Sequence, residues 1–375
     1  MNQVAAKTVV LSSNTAWSLW NFRRSLIRRL CDTGYRVMVV APHDEAAEKL
    51  ETLGCTFVPI AIDNKGTHPL RDARLCFDYW RLYRKLRPFA ALHFTIKPVI
   101  YGGLACRLLG VPYISMITGL GTAFIRESWL TKMVQSLYRV SQKRAQSVLF
   151  QNPDDSALFL ERRLVPSRAV DHVPGSGIDL DFFSPPAEGL PESPVFLVIA
   201  RLLWDKGIGD FVAAARAVKA RHSSARFQLL GAIGVENRTA IPQHDVDAWV
   251  SEGLIEYLGV TDDVRPFIAQ ASCVVLPSYR EGTPRSLLEA AAMGRPVIAT
   301  DVPGCRQVLD DGLSGYLCEV RNPESLAAAM LRYVELEQAA RARMGAAGRE
   351  KMAREFGERI VIDTYCRILA ATPAA

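Results

Sequence analysis

Short runs of consecutive apolar residues alternate along the chain with amphipathic segments of helical period. The first half contains apolar runs such as KTVVLSS, YRVMVVAP and PYISMIT, separated by helical stretches that end at glycine, as WNFRRSLIRRLCDTG does at Gly34. Runs that are apolar throughout are typical of parallel strands buried on both faces of a sheet. The pattern therefore predicts an α/β fold built on parallel sheets.

This alternation breaks in a stretch rich in proline and glycine, VPGSGIDLDFFSPPAEGLPESP, at residues 173–194. It restarts with VFLVIA and continues through SCVVLPS and PVIAT before a helical tail from about residue 323. Because 375 residues suit two domains better than one, we predict two doubly wound, Rossmann-like domains facing a cleft. The predicted boundaries are 1–175 for the N-terminal domain, 176–189 for a linker, 190–355 for the C-terminal domain and 356–375 for a last helix.

Charge and cysteine placement narrow the function classes only a little. The net charge of +6 suits an anionic ligand or an anionic membrane surface, and equally a basic surface that serves solubility. The eight cysteines form no C-x-x-C pair, so neither a zinc site nor a redox pair is predicted. The amino terminus does not resemble a signal peptide, and no uncharged apolar run reaches the roughly 18 residues of a membrane span. We therefore expect a cytoplasmic protein, soluble or peripheral.

Common cofactor and nucleophile motifs do not occur in the sequence. It contains no G-x-G-x-x-G of dinucleotide-binding folds, no P-loop and no G-x-S-x-G nucleophile elbow. Asp179 and Asp181 imitate a metal-binding D-x-D, but they lie in the proline-rich stretch, where turn formation is the better interpretation. The sequence therefore predicts neither a cofactor nor a metal.

The segment PSYREGTPRSLLEAAAMGRPVIATDVPG, from Pro277 to Gly304, contains the densest candidate chemistry. After a predicted strand, Thr283 predicts a helix cap and Pro284 the first helical position. Main-chain N–H groups at such a helix N-terminus bind phosphate. Glu281 precedes the helix and Glu289 lies in its second turn, where carboxylates accept hydrogen bonds from the diols of a ribose or a sugar. Taken alone, two glutamates at this spacing are better explained as a loop salt bridge and a helix-dipole partner.

A second motif favours the ligand-binding interpretation of Glu281 and Glu289 over the structural one. In VFLVIARLLWDKGIGDF, Arg201 and Lys206 follow an apolar strand, whose carboxyl end should direct them into the cleft. The alternative is a pair of surface charges. Two cations at this place suit a diphosphate, and fixed cations lower the barrier because a departing diphosphate gains negative charge.

Together, ARLLWDKG and PSYREGTPRSLLEAAAMGRPVIATDVPGCRQVLDDGLSGYL resemble the donor half of the family-4 retaining glycosyltransferases of the GT-B type, over roughly residues 190–320. The resemblance implies catalytic roles for three residues: Arg201 and Lys206 bind the donor diphosphate, and Glu281 lies by the donor sugar. It also implies that Glu289 holds the ribose, that no metal is used, and that the last helix packs back on the N-terminal domain. The remaining donor contacts implied are main-chain groups of Gly282, Thr283, Pro284, Arg285 and Ser286, and Leu258 and Gly259 near the base.

The amino half, in LHFTIKPVIYGGLACRLLGVPYISMITGLGTAF, is similar to a subgroup that extends undecaprenyl-diphosphate-linked saccharides, often with an N-acetylhexosamine. It departs from many family members in two places. SSNTAWSLWNFR stands where they have a Gly-Gly loop, and Thr118 stands where they have a histidine. The acceptor-side candidates are Asn14, Trp17, His93, Lys97, Thr118 and Gly119. His93 is interpreted equally well as a core histidine.

Two basic segments rich in aromatic residues predict contact with an anionic membrane surface. They are 17–32, with Arg23, Arg24, Arg28 and Arg29, and the amphipathic segment 120–147. Ordinary core-facing helices with solvated basic faces explain the same pattern equally well.

The combined prediction is a retaining hexosyltransferase. It moves a sugar, an N-acetylhexosamine, from a UDP-sugar to an undecaprenyl-diphosphate-linked saccharide in bacterial surface polysaccharide, O-antigen or other glycan assembly. We expect it at the inner face of the cell membrane, without a nucleic acid partner. The alternatives are a nucleotide-sugar epimerase on the same fold, a GDP-sugar donor, a soluble acceptor, and a non-catalytic membrane- or saccharide-binding module.

Overall fold

A computed structural model describes residues 6–63, 68–119 and 129–373 of the chain. The chain forms two compact units. Unit 1 is Met1–Gly177 together with Glu358–Ala375, and unit 2 is Ile178–Gly357.

Unit 1 is built on a seven-stranded sheet in the order β3-β2-β1-β4-β5-β6-β7, and every neighbouring pair is parallel. Its strands are β1 (Thr8–Ser12), β2 (Arg36–Ala41), β3 (Thr56–Pro59), β4 (Ala90–Phe94), β5 (Tyr113–Ile117), β6 (Ser147–Phe150) and β7 (Val170–His172). Its helices are α1 (Ala16–Asp32), α2 (Ala47–Glu51), α3 (Pro69–Leu86), α4 (Gly103–Leu109), α5 (Trp129–Ser141), α6 (Pro153–Glu161) and α13 (Glu358–Ala370), with a π-helical turn at Pro98–Gly102.

Strand β1 shows why the centres of these strands are apolar. Val9 and Leu11 belong to the core on one face of the sheet, whereas Val10 belongs to the core on the other. Because helices cover both faces, all positions after Thr8 are buried. The strand order reverses between β1 and β4, so the loops after these two strands flank the point where such sheets bind ligands.

The last helix completes unit 1. Val361 and Tyr365 of α13 are buried in the same core cluster as Leu19 and Leu26 of α1. The chain returns to this unit at Glu358, whose Cα lies 2.5 Å from where a Cβ of Gly177 would stand. Gly177 has a φ of +74°, so both its backbone and its surroundings require glycine.

Unit 2 has a six-stranded parallel sheet in the order β10-β9-β8-β11-β12-β13. Its strands are β8 (Val195–Ile199), β9 (Arg226–Leu230), β10 (Glu256–Tyr257), β11 (Cys273–Leu276), β12 (Val297–Thr300) and β13 (Gly315–Cys318). Its helices are α7 (Ile208–Arg221), α8 (Gln243–Ser251), α9 (Arg265–Gln270), α10 (Arg285–Ala292), α11 (Pro323–Val334) and α12 (Gln338–Lys351), followed by a π-helical turn at Met352–Phe356. The strand order reverses between β8 and β11, which places the switch point of this sheet there.

The stretch predicted as a linker, 176–189, is largely an integral part of unit 2. Ile178 and Phe183 are buried in its core. Arg349 of α12 donates hydrogen bonds to the carbonyls of Leu180, at 2.9 Å, and of Phe183, at 2.6 Å. The prolines and glycines therefore indicate irregular backbone here, but this backbone belongs to unit 2 and is not a separate linker. Asp179 makes a turn, as interpreted from the sequence, because its carboxylate accepts from the main-chain N–H groups of the two residues at 181 and 182.

Candidate active site

The switch point of unit 2 brings together a cation and a carboxylate that the sequence separates widely. Lys206 follows β8 and Glu281 follows the neighbouring strand β11. The Lys206 Nζ lies 2.5 Å from Glu281 Oε1, and the two side chains are 23% and 13% exposed. The predicted catalytic residues Lys206 and Glu281 therefore form one partly buried ion pair.

Backbone contacts fix the Lys206 loop against the Glu281 loop. A 3₁₀ turn, Trp204–Lys206, ends at Gly207, which has a φ of +70°. A Cβ at Gly207 would stand 2.0 Å from the Pro277 carbonyl oxygen. The Tyr279 N–H also donates to the Asp205 carbonyl, at 3.0 Å. Sequence reasoning missed this role of Gly207, although its place between a basic residue and a helix was visible.

A third loop supports Glu281 from behind. Gly304 follows β12 with a φ of +85°, and a Cβ there would stand 2.2 Å from the Gly282 carbonyl oxygen and 2.8 Å from that of Glu281. The Thr300 hydroxyl donates to the Ser278 carbonyl. The Glu281 loop is thus held on both sides by neighbouring loops at the same edge of the sheet.

Helix α10 begins one residue later than predicted. Pro284 occupies the N-cap position with ψ 115°, outside the helical region, and Arg285 is the first helical residue. Thr283 is therefore not the N-cap residue, and Pro284, which is, makes no side-chain cap hydrogen bond. The first turn of α10, which includes the half-buried Ser286, is a helix N-terminus of the kind that binds anions. Gly282 is buried beside this turn.

Glu289, the predicted ribose ligand, is a buried carboxylate with a cationic neighbour. It is 9% exposed, and the Arg285 Nε lies 2.8 Å from its Oε1. Burial raises the pKa of Glu289, the Arg285 charge and hydrogen bond oppose that rise, and the charge of Asp263 adds to it.

The remaining donor candidates lie in the loops after β8 and β10, which both pack against the loop after β9. The Leu258 N–H donates to the Leu229 carbonyl at 2.8 Å, and the Gly259 carbonyl accepts from Gly231 at 2.8 Å. A Cβ at Gly231 would stand 1.8 Å from the Ala200 carbonyl oxygen, directly before the exposed Arg201. These three loops are therefore packed backbone to backbone along the edge that also carries Lys206 and Glu281.

In unit 1, the structure adds Thr95 to the predicted residues at the β1/β4 switch point. The Asn14 N–H donates to Thr95 Oγ1 at 3.2 Å. Thr95 has a φ of +67°, which is an outlier for a β-branched residue and marks local strain. Strain of this kind has no sequence signature, so the pattern of apolar and polar residues could not have found it.

The α1 N-terminus nearby is already occupied. The Thr15 hydroxyl accepts from the Ser18 N–H at 3.1 Å, and the Asp44 carboxylate accepts from the Trp17 N–H at 2.9 Å. At the position where many family members have a Gly-Gly loop, the side chains of Thr15 and Asp44 thus bind the first N–H groups of the helix. The Trp17 side chain itself is exposed.

Lys97, Thr118 and Gly119 have different surroundings. The Lys97 Nζ lies 2.7 Å from Asp72 Oδ1 in a largely buried ion pair. Thr118 is exposed directly after β5, and Gly119 follows with a φ of +118°. Lys97 is therefore held by a carboxylate of its own unit, whereas Thr118 presents its side chain to solvent.

The expectation that His93 lines a ligand site is wrong. His93 is 0% exposed, and its Nε2 lies 2.9 Å from the Tyr83 hydroxyl within the core. A Cβ at Gly102 would stand 2.6 Å from this nitrogen, so that glycine makes room for the ring. Burial lowers the pKa of His93 to about 3, so the ring is neutral at pH 7.

His93→Gln should remove a pH-dependent cost of folding. A histidine has a pKa of about 6.5 when unfolded and about 3 here, so the unfolded state binds more protons between these values. Wild-type stability should therefore fall, by about 2 kcal/mol for this group, between pH 7 and pH 5. Urea denaturation should give the free energy of unfolding of both proteins at pH 7 and pH 5. The value for the wild type minus the value for His93→Gln should be smaller at pH 5 than at pH 7 by that amount. A gap that stays constant would show that His93 titrates normally.

The two segments predicted to face a membrane differ. In α1, Arg23 is buried, with its guanidinium 4.6 Å from the Phe94 ring centroid, so it cannot belong to a basic surface. In α5, Val134 and Tyr138 face the core, while Trp129 is 75% exposed and Lys132 and Arg139 are exposed with it. Residues 120–128 of the second segment lie outside the described residues.

Two further properties concern the parts of the chain that the structure describes. No helix there is long and apolar enough to cross a bilayer. Across the same residues, no group of three or more His, Cys, Asp or Glu side chains is arranged to hold a metal ion.

Family models match both units of the chain. Residues 193–335 match the model described as glycosyl transferases group 1, and residues 8–152 match the model described as glycosyl transferase 4-like. The chain belongs to the glycosyltransferases. In this glycosyltransferase the first match contains Arg201, Lys206, Glu281 and Glu289, and the second contains Asn14 and Thr95.

Relatives and solved structures agree with this family. The glycosyltransferase is 27% identical over 331 residues to an N,N'-diacetylbacillosaminyl-diphospho-undecaprenol alpha-1,3-N-acetylgalactosaminyltransferase of Campylobacter jejuni, covering 84% of this chain and 86% of that protein. It is 24% identical over 295 residues to a UDP-Gal:alpha-D-GlcNAc-diphosphoundecaprenol alpha-1,3-galactosyltransferase of Escherichia coli, covering 74% of each chain. The structure of Anabaena HepE in complex with UDP and glucose superposes with a TM-score of 0.80 at 15% identity, over 97% of this chain and 100% of that one. The predicted GT-B fold is thereby confirmed.

Proposed function

We propose that this glycosyltransferase moves an N-acetylhexosamine from a UDP-sugar to an undecaprenyl-diphosphate-linked saccharide, with retention at the anomeric carbon, in the assembly of a bacterial surface glycan. The Lys206–Glu281 pair at the switch point of unit 2 carries the proposal, because it sets a cation and a sugar-binding carboxylate side by side. The names of the Campylobacter jejuni and Escherichia coli relatives support the lipid-diphosphate acceptor and the hexose class.

Different residues of unit 2 bind different parts of the nucleotide sugar. Arg201 and Lys206 bind the diphosphate, together with the first turn of α10. Glu289 binds the ribose, Leu258 and Gly259 flank the base, and Glu281 lies by the transferred sugar. In unit 1, the acceptor contacts come from the surface around Asn14, Trp17, Lys97, Thr118 and Gly119.

The proposed reaction is a same-face substitution. An acceptor hydroxyl oxygen forms a bond to the anomeric carbon while the bond from that carbon to the diphosphate oxygen breaks. The acceptor proton passes to the departing phosphate oxygen. Arg201 and Lys206 stabilise the charge that develops on the diphosphate, so we propose that transfer needs no bound metal.

We further propose that the enzyme works at the inner face of the cell membrane. The exposed Trp129 of α5 stands beside the exposed Lys132 on one helix, and aromatic and basic residues together favour the interface of an anionic bilayer. A lipid-linked acceptor would have to be reached at such a surface.

The proposal is tested by screening UDP- and GDP-sugars against undecaprenyl-diphosphate saccharides in vesicles, with product anomers assigned by NMR. We expect turnover with a UDP-N-acetylhexosamine, retention of the donor anomer, and faster turnover in anionic than in zwitterionic vesicles. Addition of EDTA should leave the rate unchanged.

Each other outcome excludes part of the proposal. An inverted anomer contradicts retention, preference for a GDP-sugar contradicts the UDP donor, and turnover of a soluble saccharide alone contradicts the lipid-linked acceptor. Conversion of a UDP-sugar to its epimer without acceptor identifies an epimerase instead. Vesicle binding without turnover of any nucleotide sugar identifies a non-catalytic binding module.

A further inference from the structure

The sequence predicts a donor contact for the main chain of Arg285, but the structure also gives its side chain a contact, with Glu289. Its Nε lies 2.8 Å from Glu289 Oε1, one helical turn further along α10. The side chains of Arg285 and Glu289 are only 22% and 12% exposed. The Arg285 guanidinium also lies 5.8 Å from the ring centroid of Phe183. Because this pair is largely removed from water, its geometry is better fixed than that of an exposed i,i+4 pair.

Asp263 opposes Arg285 at Glu289. Its negative charge raises the pKa of Glu289, on top of the larger effect of burial. Arg265 donates four hydrogen bonds to the Asp263 carboxylate, including two at 2.9 Å and 2.7 Å, and they lower the pKa of Asp263. Asp263 thus favours the ionised form that repels Glu289, whereas the Arg285 charge favours ionised Glu289.

Several charged groups on the other elements packed against α10 have partners other than Glu289. Strands β11 and β12 present CVVL and VIAT, which carry no charge. On α12, Arg349 donates to main-chain carbonyls, including that of Ala292, and Lys351 pairs with Asp310 at 2.8 Å. On the π-helical turn, Arg354 pairs with Glu355 at 2.6 Å.

We propose that Arg285 is a positioning residue that fixes and keeps ionised the carboxylate of Glu289, so that this carboxylate receives the two ribose hydroxyls of the donor. The inference rests on the proposed function, in which Glu289 binds ribose. A carboxylate offers about four lone-pair sites, and one hydrogen bond from Arg285 leaves enough of them for a vicinal diol.

The inference predicts a specific pH dependence. In Arg285→Met the favourable charge is lost, so the pKa of the buried Glu289 rises further. As pH falls, Glu289 becomes protonated in this variant before it does so in the wild type. The affinity for a ribonucleotide should therefore fall at acidic pH in Arg285→Met, while the wild-type affinity changes less.

The experiment measures binding of UDP and of 2',3'-dideoxy-UDP by calorimetry at pH 8 and pH 6, using the full chain. Arg285→Met should bind UDP roughly tenfold more weakly at pH 8 and more weakly still at pH 6. It should lose less affinity for dideoxy-UDP than for UDP, because dideoxy-UDP makes no hydroxyl contact to Glu289 and reports only the weaker attraction of the diphosphate. Arg285→Lys, which keeps the charge, should restore most of the wild-type pH profile.

The outcomes separate this inference from the proposed function. If Arg285→Met binds UDP like the wild type at both pH values, or loses affinity equally for UDP and dideoxy-UDP, the positioning role is wrong. If the wild type itself binds no UDP, the proposed function fails. Arg285→Gln provides the same comparison should Arg285→Met not fold, as judged by circular dichroism.

Discussion

Lys206→Ala is expected to lower kcat by roughly 100-fold or more, and Arg201→Ala by a similar factor. Lys206 is the cation nearest Glu281, at 2.5 Å, on the loop after β8. Removing it takes away charge stabilisation of the departing diphosphate and also leaves the partly buried Glu281 carboxylate without its partner. Both losses act on the transition state more than on donor binding, so kcat should fall more than KM rises.

The measurement is steady-state transfer with the nucleotide sugar found in the screen. Lys219→Ala is the matched control, because it removes a lysine from the last turn of α7 whose Nζ donates to the Gly253 carbonyl and has no contact with Glu281 among the described residues. That control should keep wild-type kcat. Wild-type turnover in both Lys206→Ala and Arg201→Ala would contradict the assignment of the active site.

Gly304→Ala is expected to lower kcat/KM by roughly 100-fold, because misplacement of a catalytic group by about 1 Å has that effect. A Cβ at position 304 would stand 2.2 Å from the Gly282 carbonyl oxygen, so the Glu281 loop must move. The positive φ of Gly304 adds about 1–2 kcal/mol of backbone strain for alanine.

Gly312→Ala separates these two effects. Gly312 has a φ of +77°, close to that of Gly304, but nothing lies within 4 Å of its Cβ position. The variant Gly312→Ala should therefore lose a similar free energy of unfolding to backbone strain, measured by urea denaturation, but keep nearly full activity. Equal activity in Gly304→Ala and Gly312→Ala would mean that the Glu281 loop tolerates displacement.

The sequence pattern predicted the sheets well because both faces of each sheet are covered. The central positions of strands such as β1 and β8 are therefore apolar, and the residues that follow each strand lie at one edge of its sheet. The candidate residues Arg201, Lys206 and Glu281 were found in this way. Burial of both faces also explains why His93 was wrongly expected in a ligand site. When all the central positions of a strand are buried, the sequence does not indicate which polar side chain lies in the core and which lies in a ligand site.

Close backbone approaches were beyond sequence reasoning. Gly207, Gly231 and Gly304 each stand where a Cβ would collide with a carbonyl oxygen of a neighbouring loop. One sequence shows the glycines but not the loops that they contact. The strained Thr95 and the buried Arg23 are similar cases, because their surroundings are set by elements far away in the chain.

The division of the chain also has a consequence for biosynthesis. Unit 2 is one continuous segment, so all of its residues have been synthesised once Gly357 has been added. Unit 1 begins earlier but needs α13, whose Val361 and Tyr365 belong to its core. Domains generally fold as units while the ribosome adds residues from the amino terminus. Here the first unit to be started on the ribosome is the last to have its full core, and its amino-terminal sheet must wait through the synthesis of an entire second domain.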